Sequence, residues 1–219
     1  MANASVIGYS SNPTTNSVDF ASGAAANGGA ITTLDFENLS GYDAHMYPGV
    51  TFAFTTNAVL TSGLAGHGTL NGPTSPGEGL QDGSTHIYPG AAAYQMSITF
   101  DNAVLAAGFF LIDYYNPSGA NSGTLQAWDG AAGTGNLIGS AVSAGFNFQE
   151  DNKYFIGILS TDANIKSITF GSQGAAGDGI YIDDVKYASV ASAPEPGTWG
   201  LIGGGLLAGA LFARRRIRL

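Results

Sequence analysis

The stretch YQMSITFDNAVLAAGFFLIDYY, residues 94–115, decides the fold. Its first seven residues alternate, with Tyr94, Met96, Ile98 and Phe100 on one face and polar residues between them, which is the period of a half-buried strand. Asp101-Asn102 reads as a turn, and Val104 to Tyr115 as a second, long apolar strand. Outward from this pair the same signature recurs, short β-branched or aromatic runs bounded by Gly, Asn, Asp and Pro. The runs are Ile31–Phe36, Gly49–Thr55, Gly123–Asp129, Leu137–Val142, Lys153–Leu159, Ile165–Phe170 and Gly179–Tyr187. Roughly nine strands at this spacing predict an all-β domain, an antiparallel sandwich. Between Ala2 and Val190 no helical period of useful length is visible. Residues 58–88, with seven Gly and two Pro, break the rhythm and read as a long excursion over one sheet face, with room for one short strand.

Composition supports a β-rich exterior protein. Charged residues are 11% of 219, against about 25% in ordinary soluble domains, and Gly is about twice as common as usual. Before Pro194 there are three basic residues, Lys153, Lys166 and Lys186, and fifteen acidic ones, so this body carries about −12. Such a surface repels phosphates and argues against a nucleic-acid partner, but suits divalent cations or a neutral glycan. The absence of cysteine excludes thiol catalysis and Cys-ligated metals, and leaves stability to the core or to bound calcium. At the N-terminus no signal peptide is recognisable. Ala2-Asn3-Ala4 fits the small-x-small pattern of a cleavage site, or is a chance alanine-rich start.

The C-terminus has a different character. Pro194-Glu195-Pro196 is followed by 17 uncharged residues, Gly197 to Ala213, and then by Arg214, Arg215, Arg216, Ile217, Arg218 and Leu219. As a helix the uncharged run covers roughly 25 Å, the short end of a membrane span. Four of the chain's seven basic residues follow it, which predicts the Arg cluster on the cytoplasmic side and the body outside. Pro194 and Pro196 resist helix and sheet and leave an extended strip. The chain thus divides into a body at 1–187, a small-residue linker at 188–193, and a tail at 194–219 with a transmembrane helix at 198–213.

In this order the three tail elements resemble the PEP-CTERM sorting signal of Gram-negative, exopolysaccharide-producing bacteria. The resemblance implies that an exosortase, a membrane protease of transpeptidase type, recognises Pro194, Glu195 and Pro196 and processes the tail. It also implies export across the inner membrane, transient anchoring there with Arg214, Arg215, Arg216 and Arg218 as the stop, and release to the cell surface or extracellular matrix. The runs "FFLIDYY", "LQAWDGAAGTGNLIGS", "YFIGILS", "IKSITFGS" and "IYIDDVKYA" further resemble jelly-roll domains similar in layout to carbohydrate-binding sandwiches.

Candidate binding residues are few. Asp35 and Glu37 near the first predicted strand and Asp183-Asp184 in the last would adjoin if those strands are neighbours, and their oxygens would suit calcium. Strand alternation would send Asp183 and Asp184 to opposite faces, so one alone would contribute; solvated strand-end acids are the plainer reading. His45, His67 and His86, with Asp43, Glu78 and Asp82 nearby, lack the spacing that places two ligands on one element. Among the aromatics Tyr42, Tyr47, Tyr88, Tyr114, Tyr115 and Trp128, the last sits before Asp129-Gly130 at a hairpin mouth, for core packing first and sugar stacking second. No nucleophile elbow or phosphate loop appears, so no catalytic residue is assigned and an enzyme is not expected. The sequence therefore points to a structural or adhesive surface protein, or alternatively to a calcium-assisted carbohydrate-binding module acting on exopolysaccharide.

Overall fold

Alternating strands that bury one face must stack their apolar sides, and here they do so as two antiparallel sheets. The computed structural model describes residues 6–10, 13–36, 43–54, 58–61, 79–82, 96–112, 122–142, 153–173 and 181–190. In chain order the elements are β1 (Val6–Ser10), α1 (Pro13–Ala26), β2 (Gly29–Leu34), β3 (Val50–Phe54), β4 (Ala58–Thr61), β5 (Gly79–Asp82), β6 (Met96–Val104), β7 (Ala106–Ile112), β8 (Ser122–Trp128), β9 (Leu137–Val142), β10 (Lys153–Ser160), β11 (Ile165–Gln173) and β12 (Tyr181–Val190). The larger sheet has seven strands in the order β1-β10-β7-β12-β5-β4, with β2 also paired to β12; the smaller runs β3-β6-β11-β8-β9.

The core between the sheets is built from the residues whose alternation predicted it. Met96, Ile98 and Phe100 of β6 meet Ile168 and Phe170 of β11, Phe109 and Leu111 of β7, and Ile182 and Val185 of β12. Phe109 and Phe170 meet edge to face across the sheets at 5.6 Å. At one margin β1 packs on β9 through small residues. A Cβ on Gly139 would stand 2.3 Å from Val6 Cγ1, so only glycine lets the two edge strands approach.

The helix α1 corrects the expectation of a helix-free body. It lies on the outer face of the larger sheet, where Phe20 and Ala24 join Phe110, Phe155, Leu159, Leu105, Ala106 and Ala188 in a second buried cluster. Pro13 suits the first helical turn, having no N–H to leave unpaired. At the other end the Asn27 and Gly28 N–H groups donate to the carbonyls of Gly23, Ala24 and Ala25, with Gly28 at φ 78°. Two of its residues, one turn apart, are fully buried and most of the rest are Ser, Thr, Ala and Gly, so the sequence showed no apolar stripe.

Three further expectations change. The strands number twelve among the described residues, because β1 is added at the N-terminus and residues 58–88 hold a paired β4 and β5. Asp101-Asn102 is not the turn between strands. β6 continues to Val104 and the chain turns at Leu105, whose N–H donates to the Ala188 carbonyl (2.7 Å) and whose carbonyl accepts from Ser160 N–H (2.9 Å). Finally β12 runs to Val190, so residues 188–190 are strand rather than linker. The tail, where the sequence predicts a transmembrane helix at 198–213, lies outside the described residues, among which no helix is long and apolar enough to cross a membrane.

Candidate functional site

Three places bear on function. The first is the acid pair in β12. Val185 faces Leu34, so β2 and β12 are indeed neighbours and Asp35 follows directly at the end of that ladder. On its other side β12 carries a bulge: Asp183 faces Phe110 and Lys186 faces Gly108, with one extra residue between. Asp184 takes the extra position at φ 48°, a conformation that Asp tolerates better than most side chains. The alternation expected of Asp183 and Asp184 is thereby broken, and both side chains are buried. Asp184 N–H donates to Asp183 Oδ1 at 2.6 Å. Lys186 Nζ lies 3.9 Å from Asp184 Oδ2, within 3.3 Å of Thr33 Oγ1, and 5.9 Å from the Phe110 ring centre.

Two buried carboxylates thus lie beside the half-buried ammonium of Lys186, which pairs with Asp184. Asp35 is exposed, and Glu37 lies outside the described residues. Among the described residues no group of three or more His, Asp or Glu side chains is gathered as metal ligands.

The second place is the outer face of the five-stranded sheet. Phe52, Ile98, Ile168 and Ala127 point into the core, so the residues beside them in register face outward. One row reads Thr51, Thr99, Ser167, Trp128, and the next Ala53, Ser97, Thr169, Gln126, Ser140. None is ionisable. Trp128 is half-buried and its Nε1–H donates to Thr169 Oγ1 at 3.0 Å, which holds the indole against the sheet. The β8–β9 loop, with a single 3-10 turn at Ala131–Gly133, folds back over this face. Ala132 N–H donates to Thr99 Oγ1 and Gly133 N–H to Ser167 Oγ, both at 3.0 Å. At the loop's base Asp129 accepts from Asn136 N–H (2.6 Å) and Asn136 Nδ2 (2.8 Å), which holds its carboxyl below the ordinary aspartate range. The sequence reading singled out Trp128 alone; the hydroxyl rows emerge only when register aligns residues from separate strands.

The remaining candidates divide simply. Asp43 Oδ1 accepts from His45 N–H at 2.8 Å in an exposed turn, with no other histidine described nearby. Tyr47 is a packing residue: its hydroxyl accepts from Phe36 N–H at 2.7 Å and its ring meets Phe36 and Phe52. His67, His86, Glu78, Tyr42, Tyr88, Tyr114 and Tyr115 lie outside the described residues.

The third place is the tail. Residues 192–216 match the family described as the PEP-CTERM protein-sorting motif, which takes in Pro194, Glu195, Pro196 and the first three arginines of the terminal cluster. The chain is therefore an antiparallel β-sandwich protein with a C-terminal sorting motif, a signal that implies export and membrane-associated sorting. For the body, a search of curated proteins gives no match. Among solved structures it is similar to the K3 cleaved adhesin domain of Lys-gingipain from Porphyromonas gingivalis W83, at 15% identity and a TM-score of 0.45 over 74% of this chain and 99% of that one. The K1 cleaved adhesin domain of the same protein gives 13% and 0.44 over 74% and 99%. The C-terminal family 22 carbohydrate binding module of Clostridium thermocellum Xyn10B gives 15% and 0.39, over 78% of this chain and 98% of that one.

Proposed function

We propose that this protein is an exported cell-surface or extracellular-matrix component with a structural or adhesive, non-catalytic body, sorted and cleaved by an exosortase through its C-terminal signal. The carrying observation is the match of residues 192–216 to the sorting motif, placed directly after the last strand of the body. In this reading the segment 198–213 anchors the precursor in the inner membrane and Arg214, Arg215, Arg216 and Arg218 stop it on the inner side. Glu195, held between two prolines, presents the recognition charge in an extended strip. The domains are then a body through β12, a short spacer, and a tail lost on maturation. Intact mass of the mature protein from its native host tests this: residues after Pro196 should be missing, and a full-length mass would overturn it.

A second reading, a carbohydrate-binding body of jelly-roll type acting on exopolysaccharide, is supported by the uncharged outer face of the five-stranded sheet. Hydroxyls, an amide and an indole are the groups that bind neutral sugars, and those with exposure on this face include Thr51, Gln126, Trp128 and Ser140, while Ser97, Ser167 and Thr169 are buried beneath. The jelly-roll layout is supported by the path of the chain, which changes sheet at every connection from β6 to β12 except β8–β9. Affinity electrophoresis in soluble neutral polysaccharides should show retardation that Gln126→Ala and Trp128→Ala abolish; equal mobility of all three proteins would exclude this face. Structural calcium at Asp35, Glu37, Asp183 and Asp184 belongs to the same reading. It should appear as a rise in Tm on adding calcium that chelation reverses, and an unchanged Tm would exclude it.

A further inference from the structure

The end of the body from which the tail departs is tied down almost to the processing motif. Val190 pairs with Gly29, and Ala188 is fully buried, facing Ala106 of β7 and Ile31 of β2. The Leu105 N–H is bonded to the Ala188 carbonyl, and a Cβ on Gly29 would stand 3.0 Å from that of Ala188. β12 is paired on both sides as far as Ala188 and with β2 alone at Ser189 and Val190, so it cannot peel back past Ala188 without breaking two ladders. Only Ala191, Ser192 and Ala193 separate Val190 from Pro194. Fully extended, the four steps from Val190 to Pro194 cover at most about 14 Å. If Ser189 and Val190, which are exposed, also let go, the reach from Ala188 is still only about 21 Å.

The longest strands of the body, β6, β11 and β12, are about 30 Å long, more than this reach, so a protease acting at the motif works close against the body. We infer that the end face formed by the α1–β2 turn, the β10–β11 turn and the end of β12 is an interaction surface that sits against the membrane-embedded processing protease. The inference rests on the sorting reading above and adds a surface to it. The exposed residues of that face are Asn27, Gly28, Thr161, Asp162, Ser189 and Val190. They carry one ionisable side chain, Asp162, in a body of about −12. At the same end the five-stranded sheet adds Asp101, Lys166 and Asp129, so this end carries a few charges of mixed sign.

The native chain has no cysteine, so single-cysteine variants report cleanly. The full-length precursor with Asn27→Cys, Ser189→Cys or, as a control at the far end of β9, Val142→Cys is labelled with a bulky polyethylene-glycol maleimide. It is then presented to its protease in proteoliposomes. Labels at 27 and 189 should slow tail removal by about tenfold or more, and the label at 142 by less than about twofold. Inserting a flexible Gly/Ser spacer of about twelve residues after Ala191, ahead of the matched motif, should restore the rate of the labelled Asn27→Cys and Ser189→Cys proteins. Equal slowing at all three positions, or no rescue by the spacer, overturns the inference while leaving the sorting reading intact. Failure of the unlabelled precursor to be cut overturns both.

Discussion

Gly108 of β7 and Gly157 of β10 face each other across the ladder, and the rings of Phe155 and Phe20 occupy the space a side chain would need at Gly157. The pair forms the floor on which α1 sits. A Cβ at Gly108 would come within 2.6 Å of the Ile156 carbonyl oxygen and 2.7 Å of Gly157 Cα, both backbone atoms that cannot move aside. At Gly157 the nearest atoms are ring carbons of Phe155 and Phe20, at 2.9 and 3.0 Å. Gly108→Ala is therefore expected to cost about 2–3 kcal/mol and Gly157→Ala less, since rings can shift. Thermal denaturation should rank them in that order, with roughly 2–4 °C of Tm per kcal/mol.

Phe20 is what holds α1 to the sheet. It is fully buried, meets Tyr9 edge to face at 5.6 Å and Phe155 at 5.0 Å, and no other large side chain of the helix is fully buried. Phe20→Ala should cost about 3–4 kcal/mol and release the helix. Hydrogen exchange should then show α1 amides losing protection while β6 and β11 keep theirs. Protection lost equally everywhere would mean that helix and sandwich unfold as one unit.

These two clusters also show why the sequence was legible in one place and not in another. Met96, Ile98 and Phe100 alternate along one strand, so the periodicity of the chain itself announced the inter-sheet core. The helix is held by Phe20 resting on glycines of two other strands, and glycine leaves no mark in a hydrophobic pattern. Strand neighbourhood worked for Asp35, because β2 and β12 do pair, but the Asp183–Asp184 alternation failed. A bulge is a property of a pair of strands, and one strand read alone cannot show it. The hydroxyl rows around Trp128 were hidden for the same reason. The sorting tail needed no partner strand, since its signal is the linear order of prolines, apolar residues and arginines.

Asp184 combines a positive φ with a buried carboxylate, and the two demands separate by substitution. Asparagine tolerates φ 48° and keeps most of the shape, so Asp184→Asn should remain folded. Valine would meet the backbone strain and lose the partner of Lys186 together, for a cost above about 2 kcal/mol. Lys186→Met leaves the buried Asp184 without its ammonium and should cost about 3 kcal/mol. Urea denaturation distinguishes these: a Lys186→Met protein as stable as the wild type would show that the carboxylates do not depend on that cation.

The Asp129–Asn136 clasp predicts a pH dependence with a definite sign. Asn136 donates through both its side chain and its backbone, and these bonds lower the carboxyl pKa in the folded state. A lowered folded pKa means that the stabilisation is fully present above the ordinary aspartate pKa and is lost as pH falls through the folded value. Asn136→Ala removes the side-chain bond and keeps the backbone one. Its Tm should fall below the wild-type value at neutral pH, by a small margin because the site is exposed and screened. The gap should close as the solution is acidified past the titration of Asp129. Carboxyl chemical shifts give the direct measurement: the Asp129 midpoint should lie below the ordinary range in the wild type and move up in Asn136→Ala. The same midpoint in both proteins would show that the Asn136 amide does not hold the carboxylate. The loop would then owe its shape to Gly135, at φ 82°, and to the backbone bonds between Gly130 and Thr134 and between Asp129 and Asn136.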